Sequence, residues 1–409
     1  MGEGSYISVL DIGTSKIAAV VVRVTETATE VVGMGVAASA GVRKGVIVDL
    51  EAAAAAIKEA LQRARAVCGI EIKEVITGLS DSHVKSFSSS GAVVLSSDYV
   101  TQRDIDKVME TAGTVYVPLD KEIMHMIPVE YIVDGQGQIY NPVGMKGVRL
   151  EVNVQIVAGS STSIHNVERC CAMAGLKTAD IVFNPFASAS AVLRDDEKKY
   201  GAILIDIGGG TTDIALLKDG VFMGAAVIDI GGNQFTNDIA VGLRLPVYEA
   251  ERLKKAYGMA TFPDEYFGEE ITVTANMEER RISKSFITEI IKARSEELSA
   301  MIKEAILSIP GFSWQPWSVV ITGAVAELKG LEGLIAGVLD LPVRVGTCQW
   351  ANWTGIGDKL CGPTYATVMG LVSYTRKRFY EDGTAEAFTT GQYSMSKWFK
   401  GLVGKFFNK

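Results

Sequence analysis

The sequence is poor in the residues that metal centres and disulfide frameworks need. It holds three histidines and five cysteines in 409 residues. Cys68, Cys170, Cys171, Cys348 and Cys361 are odd in number and scattered, and neither they nor His83, His125 and His165 show metal-ligand spacing. Buried free thiols in a reducing compartment are expected, not a zinc site or a stapled secreted fold. A basic excess is missing as well. Forty Lys and Arg against 48 Asp and Glu leave a formal charge of −8, which argues against a chain that coats nucleic acid. No apolar run approaches the roughly eighteen residues of a membrane span. Met1–Ser5 lack the basic start of a secretory signal, and Tyr6 stands where a myristoylation pattern wants Ser or Thr. The expectation is a cytosolic, reduced protein without a transmembrane helix, for which a membrane surface stays open.

What is present is a globular balance, 48% hydrophobic and 22% charged, in a length that requires two or more domains. Ile7–Ile12 is an apolar, β-rich run followed by Gly13-Thr14-Ser15-Lys16 and a second strand over Ile17–Val24, with Glu30–Ala38 as a third. Asp49 is placed to cap a helix to about Val67 that stops at Gly69. Later the opening pattern returns: strand Ala202–Ile207, turn Gly208–Thr212, strand Asp213–Leu217. Asp11 and Asp206 hold matching places, the mark of a weak internal duplication. Between the two, about Ser82–Gly159 has its own texture. Thr101 with Asp104 resembles a capping box opening a short helix, and Val148, Leu150, Val152, Val154 and Ile156 alternate as one face of a strand. This reads as a small α+β insertion. Ser161–Ala174 reads as a helix, Arg194–Lys199 as a charged turn, and Phe235 to about Leu307 as a mostly helical block. A strand over Ser318–Thr322 precedes Gly323, and Pro363–Arg378 is a helix of small residues.

The two glycine turns carry the chemistry. Each follows a buried strand ending in a carboxylate, and only residues with little side chain let backbone N–H groups approach phosphate oxygens. Gly13, Thr14, Ser15 and Lys16 form one candidate phosphate loop, and Gly208, Gly209, Gly210, Thr211 and Thr212 the other. Asp11 and Asp206 are expected to hold Mg²⁺ through water, because Mg²⁺ keeps most of its hydration shell. Lys16 would neutralise phosphate charge. One such hairpin is an ordinary turn; two related ones make a nucleotide clamp.

With Gly323 after its strand, these turns resemble the actin, heat-shock-70 and sugar-kinase superfamily. The resemblance implies an α/β, actin-like two-domain fold of ribonuclease-H-like halves with ATP between them. Pro185–Leu193 and Pro363–Leu371 are similar to its hinge helices. It further implies that Gly231, Gly232 and Asn233 lie near ribose and phosphates, that Glu251 and Lys254 lie near ribose and adenine, and that Gly323, Ala324 and Val325 form the adenosine loop. That loop usually carries three small residues, and Val325 departs from the pattern.

Over essentially its whole length the chain resembles the FtsA family of bacterial cell-division actin homologues. The insertion, the segment Phe235–Ala240, the run Tyr365–Gly370 and the tail carry this resemblance. It implies one half from 1–81, 160–195 and 363–380, an inserted subdomain at 82–159, a second half from 196–234 and 308–362, and a helical nucleotide- and partner-binding subdomain at 235–307. It also implies filaments of the protein itself, an FtsZ C-terminal peptide gripped near Arg281, Lys292 and Arg294, later divisome membrane proteins as partners, and a place on the inner face of the cell membrane at the division site. No residue is identifiable as a base for hydrolysis, so the reading is an assembly protein with at most slow ATPase activity.

The tail points to a membrane by its residues alone. After a polar linker at 381–393, a helix over 394–409 would place Met395, Trp398, Phe399, Leu402, Val403, Phe406 and Phe407 on one half. Lys397 and Lys400 face away, Lys405 and Lys409 flank the boundary, and the segment has no acid. Apolar burial at ~25 cal/mol per Å² and about 1 kcal/mol per lysine suit an anionic lipid interface. A helix docked on the protein itself or in a partner's groove is the alternative. For the whole chain, a small-molecule kinase of the same superfamily, or the related actin-like protein of type IV pilus assembly, stays open.

Overall fold

The computed structural model describes residues 5–25, 28–262, 268–275, 278–348 and 353–380. The polar linker and the amphipathic tail lie outside the described residues. The chain opens with β1 (Ser5–Ile12), β2 (Lys16–Val24), β3 (Thr29–Ala38) and the short hairpin β4 (Val42–Arg43) and β5 (Val46–Ile47), then α1 (Leu50–Cys68) and β6 (Glu74–Leu79). The insertion holds β7 (Lys85–Val94), α2 (Gln102–Gly113), β8 (Lys121–Val133), β9 (Gln136–Ile139) and β10 (Arg149–Ser160). Next come α3 (Ser161–Met173), β11 (Lys177–Phe183), α4 (Asn184–Val192) and α5 (Asp195–Tyr200). The second half begins with β12 (Ala202–Ile207), β13 (Thr212–Lys218), β14 (Val221–Ile228), α6 (Gly232–Leu243) and α7 (Val247–Tyr257). It continues with β15 (Glu270–Ala275), β16 (Glu278–Ser283), α8 (Lys284–Ser308), β17 (Ser318–Thr322), α9 (Leu331–Leu339) and β18 (Val343–Val345). Finally β19 (Trp353–Gly355) precedes α10 (Ala366–Tyr380).

The duplication is visible in the sheets. One runs β11-β6-β1-β2-β3 and the other β18-β17-β12-β13-β14, each an antiparallel meander of three strands extended by two parallel ones. Their central strands are near-continuous apolar runs because both faces are covered. In β12, Ile203, Ile205 and Ile207 pack with α6, α7, α8 and α9, while Leu204 joins the core shared with α4 and the first sheet. The second sheet is thus covered on both faces.

Local chemistry sets the elements as expected. The Asp49 carboxylate accepts from the N–H groups of Glu51 (3.1 Å) and Ala52 (3.0 Å) to start α1, and Gly69 ends it at φ 68°. Asp104 accepts both the Thr101 backbone N–H (3.0 Å) and its hydroxyl (2.6 Å), so the carboxylate caps the start of α2. In β10, Leu150, Val152, Val154 and Ile156 are buried, but Val148 lies before the strand and is 68% exposed.

Three further expectations need correction. The mostly helical block also contains an unexpected hairpin, β15–β16, in which Val273 and Ile282 alternate inward. The charged turn is the helix α5, anchored by buried Glu197 to Arg344. Residues 353–362 do not stay with the second half: β19 pairs in parallel with β3 at the edge of the first sheet.

Two contacts matter here, one within the first half and one between the halves. Helices α4 and α10 cross where a Cβ on Gly370 would lie 1.9 Å from the Ala187 carbonyl oxygen, so only glycine permits the approach. The insertion, rooted in the first half, leans on the second. The Ser86 hydroxyl donates to the Ala225 carbonyl (3.3 Å) and accepts its N–H (3.0 Å), replacing a ladder rung on β14.

Candidate functional site

The two glycine turns face each other across an open cleft. Each is a hairpin closed by its own glycine, from Gly13 N–H to Lys16 O (3.0 Å) and from Gly208 N–H to Thr211 O (2.9 Å). They are nearly in contact. A Cβ on Gly209 would fall 1.9 Å from Ser15 Oγ, and one on Gly210 2.6 Å from Thr14 Oγ1. The second turn is therefore bare backbone where the Thr14 and Ser15 side chains of the first turn meet it. Gly323, at φ 84°, adds a third edge, and Ala324 lines the same cleft.

Strand register delivers the carboxylates. Asp11 opposes Ala18, and Asp206 opposes Asp213 on the neighbouring strand, so three carboxylates converge, each buried. Burial pushes the Asp11 carboxyl up to about 6, with Lys16 opposing and Asp206 adding. Burial also raises Asp206, against hydroxyl donation from Ser188 (2.5 Å) and Thr367 (3.1 Å). Asp213 is pushed up to about 8 by burial and then by Asp206, with Ser80 donating a hydrogen bond to it. Lys16 is lowered by burial; its ammonium donates to the Thr364 carbonyl and lies 3.9 Å from the centre of the Tyr365 ring. Three buried carboxylates against one half-buried lysine make a site suited to a cation. Among the described residues no group of three His, Cys, Asp or Glu side chains forms a direct metal-ligand set.

The other expected residues fall in three groups. Gly231, Gly232 and Asn233 adjoin the second turn: Gly232 N–H donates to Gly208 O (2.9 Å), Asn233 N–H to Gly209 O (2.8 Å), and Ser15 Oγ to Asn233 Oδ1 (3.3 Å). Lys254 reaches the same place, donating to Gly232 O (2.9 Å) and pairing with Glu251 (2.6 Å), so α7 is fastened beside the cleft without lining it. Val325 is buried, its methyl 3.1 Å from where a Gly232 Cβ would be. Arg281, Lys292 and Arg294 lie apart from the cleft. Arg294 is forked onto Asp238 (2.6 and 3.1 Å), while Lys292 and Arg281 stand 3.8 and 3.9 Å from Glu296 and Glu270. The membrane-facing set Met395–Lys409 lies outside the described residues.

Several cleft residues escaped the sequence reading. Ser188 on α4 and Thr367 on α10 both grip Asp206, so each of these helices holds the second carboxylate. Ser80, Gly45 and Asn184 line the cleft, and Asn184 Oδ1 is a buried acceptor without a hydrogen-bond partner. Only the small-residue character of the two helices hinted at any of this.

Comparison with known proteins agrees with this architecture. A family model for cell division protein FtsA matches residues 203–370, and one for the SHS2 domain inserted in FtsA matches residues 81–158. Cell division protein FtsA of Neisseria meningitidis serogroup B is 38% identical over 372 residues, covering 90% of this chain and 89% of that one. Its counterpart in Pseudomonas aeruginosa is 35% identical over 395 residues, covering 96% and 94%. Among solved structures, the PilM-PilN type IV pilus biogenesis complex contains a chain that superposes with a TM-score of 0.65 at 19% identity, covering 90% of this chain and 98% of that one. MreB 5 of Spiroplasma citri bound to AMPPNP superposes at 0.53 with 15% identity, covering 95% and 100%. The structures establish an actin-like fold, and the relatives, alike in sequence across both halves and the insertion, place this chain in the FtsA family of cell division proteins.

Proposed function

We propose that the cleft binds ATP with Mg²⁺, and that the loaded protein assembles into filaments that tether FtsZ polymers to the inner face of the cell membrane at the division site. The observation that carries this reading is the meeting of two glycine turns, the hydroxyls of one against the bare backbone of the other, over three buried carboxylates. Backbone N–H groups of Thr14, Ser15 and Gly209–Thr211 would bind phosphate oxygens, as in other amide cradles, with Gly13 and Gly208 closing the turns. Asp11 and Asp206 would hold Mg²⁺ through water, and the bound ion would offset phosphate charge. Lys16 would add positive charge from the side of α10. Gly231–Asn233, with Glu251 and Lys254 behind them, and Gly323–Val325 would border ribose and adenine. Because the cleft walls come from both halves, a ligand that bridges them favours the closed arrangement.

Anchoring is assigned to 394–409 and FtsZ-tail capture to Arg281, Lys292 and Arg294, with later divisome proteins met through the insertion. The functional units are those read from the sequence, except that 353–362 moves to the first half. The test is sedimentation with anionic vesicles, ATP and Mg²⁺, comparing the intact chain with one ending at Tyr393. The intact chain should pellet with filaments on the lipid and the shortened one should not. Equal pelleting of both, or phosphate transfer to sugars or acetate, would overturn the tether reading.

A further inference from the structure

The cleft carries more negative than positive charge. Lys16 is the one cation among the described residues that line it, and its ammonium is turned toward Thr364 and Tyr365. A magnesium-bound nucleoside triphosphate is still an anion, and its outermost phosphate would need a further cation.

The hairpin β4–β5 supplies one. Its tip residues Lys44 and Gly45 take φ 51° and 75°, the left-handed pair of a two-residue hairpin turn. Gly45 lines the cleft, its N–H donates to Thr14 Oγ1 (3.0 Å), and a Cβ there would lie 2.1 Å from the Ser80 carbonyl oxygen. On its other side, Lys44 Cα is 3.0 Å from the place a Gly210 Cβ would take. The tip is thus wedged between the two glycine turns. The Lys44 side chain crosses from the first half to the second, where its ammonium stands 3.7 Å from Asp229 Oδ2, with both side chains over 40% exposed. The other Asp229 oxygen is buried without a hydrogen-bond partner. A long, exposed pair of this kind contributes little, so its lysine is free to exchange partners, whereas a contact to phosphate is charge-assisted and short.

We propose that Lys44 is a ligand of the outermost phosphate, exchanging Asp229 for it when a nucleoside triphosphate enters, and so distinguishing triphosphate from diphosphate. The inference rests on the nucleotide reading above. Because Thr14 pins the hairpin backbone, the exchange needs only a swing of the side chain. It draws the first half's hairpin onto the phosphate held by the second half's turn.

The test is calorimetric titration of the full chain with Mg-AMPPNP and Mg-ADP. Lys44→Asn, which tolerates the left-handed backbone, should lose on the order of 10- to 100-fold in AMPPNP affinity, with ADP affinity within about 2-fold. Lys44→Arg should keep the preference, and Asp229→Asn should favour AMPPNP further. An equal change in both nucleotides, or none in either, overturns the proposal while leaving nucleotide binding intact. Failure of the wild-type chain to bind either nucleotide sinks both readings. Melting curves without nucleotide guard against misfolding, and a preference lost in Lys44→Arg as well would assign the effect to turn geometry and overturn the charge argument.

Discussion

The turn after β1 and the turn after β12 share a strand register and differ in what they carry. The first ends in Lys16 and brings a charge; the second has three glycines in a row, and Asp213 stands opposite Asp206. Their carboxylates differ too. Asp206 is held by Ser188 and Thr367 from the two hinge helices, whereas the burial of Asp11 is relieved mainly by Lys16. Duplication thus preserved the backbone and divided the chemistry: one half supplies the cation, the other supplies bare amides and the link to the hinge.

The largest asymmetry should appear at the glycines. A Cβ on Gly231 would lie within 2.8 Å of three backbone atoms of the second turn or closer, while one on Gly13 meets a single carbonyl oxygen at 2.9 Å. Gly231→Val should remove AMPPNP binding below detection, and Gly13→Ala should weaken it by on the order of 10-fold; titration of both decides, and equal losses would break the comparison. Next come the twin carboxylates. Asp11→Asn should stabilise the nucleotide-free, Mg²⁺-free protein at pH 7 by up to about 3 kcal/mol, since a carboxyl pushed up to about 6 is strained when ionised. Asp206→Asn should stabilise less or destabilise, because an amide cannot accept both hydroxyl donors with the same oxygen charge. Urea unfolding of the two variants is the measurement, and identical shifts would refute the division.

The smallest effect concerns pH. Asp213 is raised to about 8, so its favourable contribution is fully present below about pH 4 and is lost as pH rises through 8. Nucleotide-free protein should lose on the order of 1 kcal/mol of stability from this group between pH 7 and 9, and Asp213→Asn should flatten that slope in urea titrations at the two pH values.

How much of this was legible in the sequence depended on how local the cause was. Asp49, Gly69 and the two turns are short-range chemistry and read correctly. The hairpin β15–β16 does alternate at Ile271, Val273 and Ile282, but its charged neighbours Glu279, Arg280 and Arg281 hid a strand inside a helical stretch. Helix α5 has no apolar periodicity; its fixed point is Glu197 on Arg344, far along the chain. Ser188 and Thr367 were invisible as cleft residues for the same reason: each is a small hydroxyl on a helix, and only the fold brings both to one oxygen of Asp206. Strand β19 pairs with β3 across most of the chain's length, beyond any local pattern.

The Ser86–Ala225 contact has a consequence for information flow. The insertion belongs to the first half by chain connection but rests on the second by hydrogen bonding. A rotation of one half against the other would shear that contact, so the pose of the insertion would register the state of the cleft. Linkage runs both ways: on the proposed nucleotide reading, whatever gripped the insertion in one pose would alter, by the same factor, how tightly the cleft held its ligand.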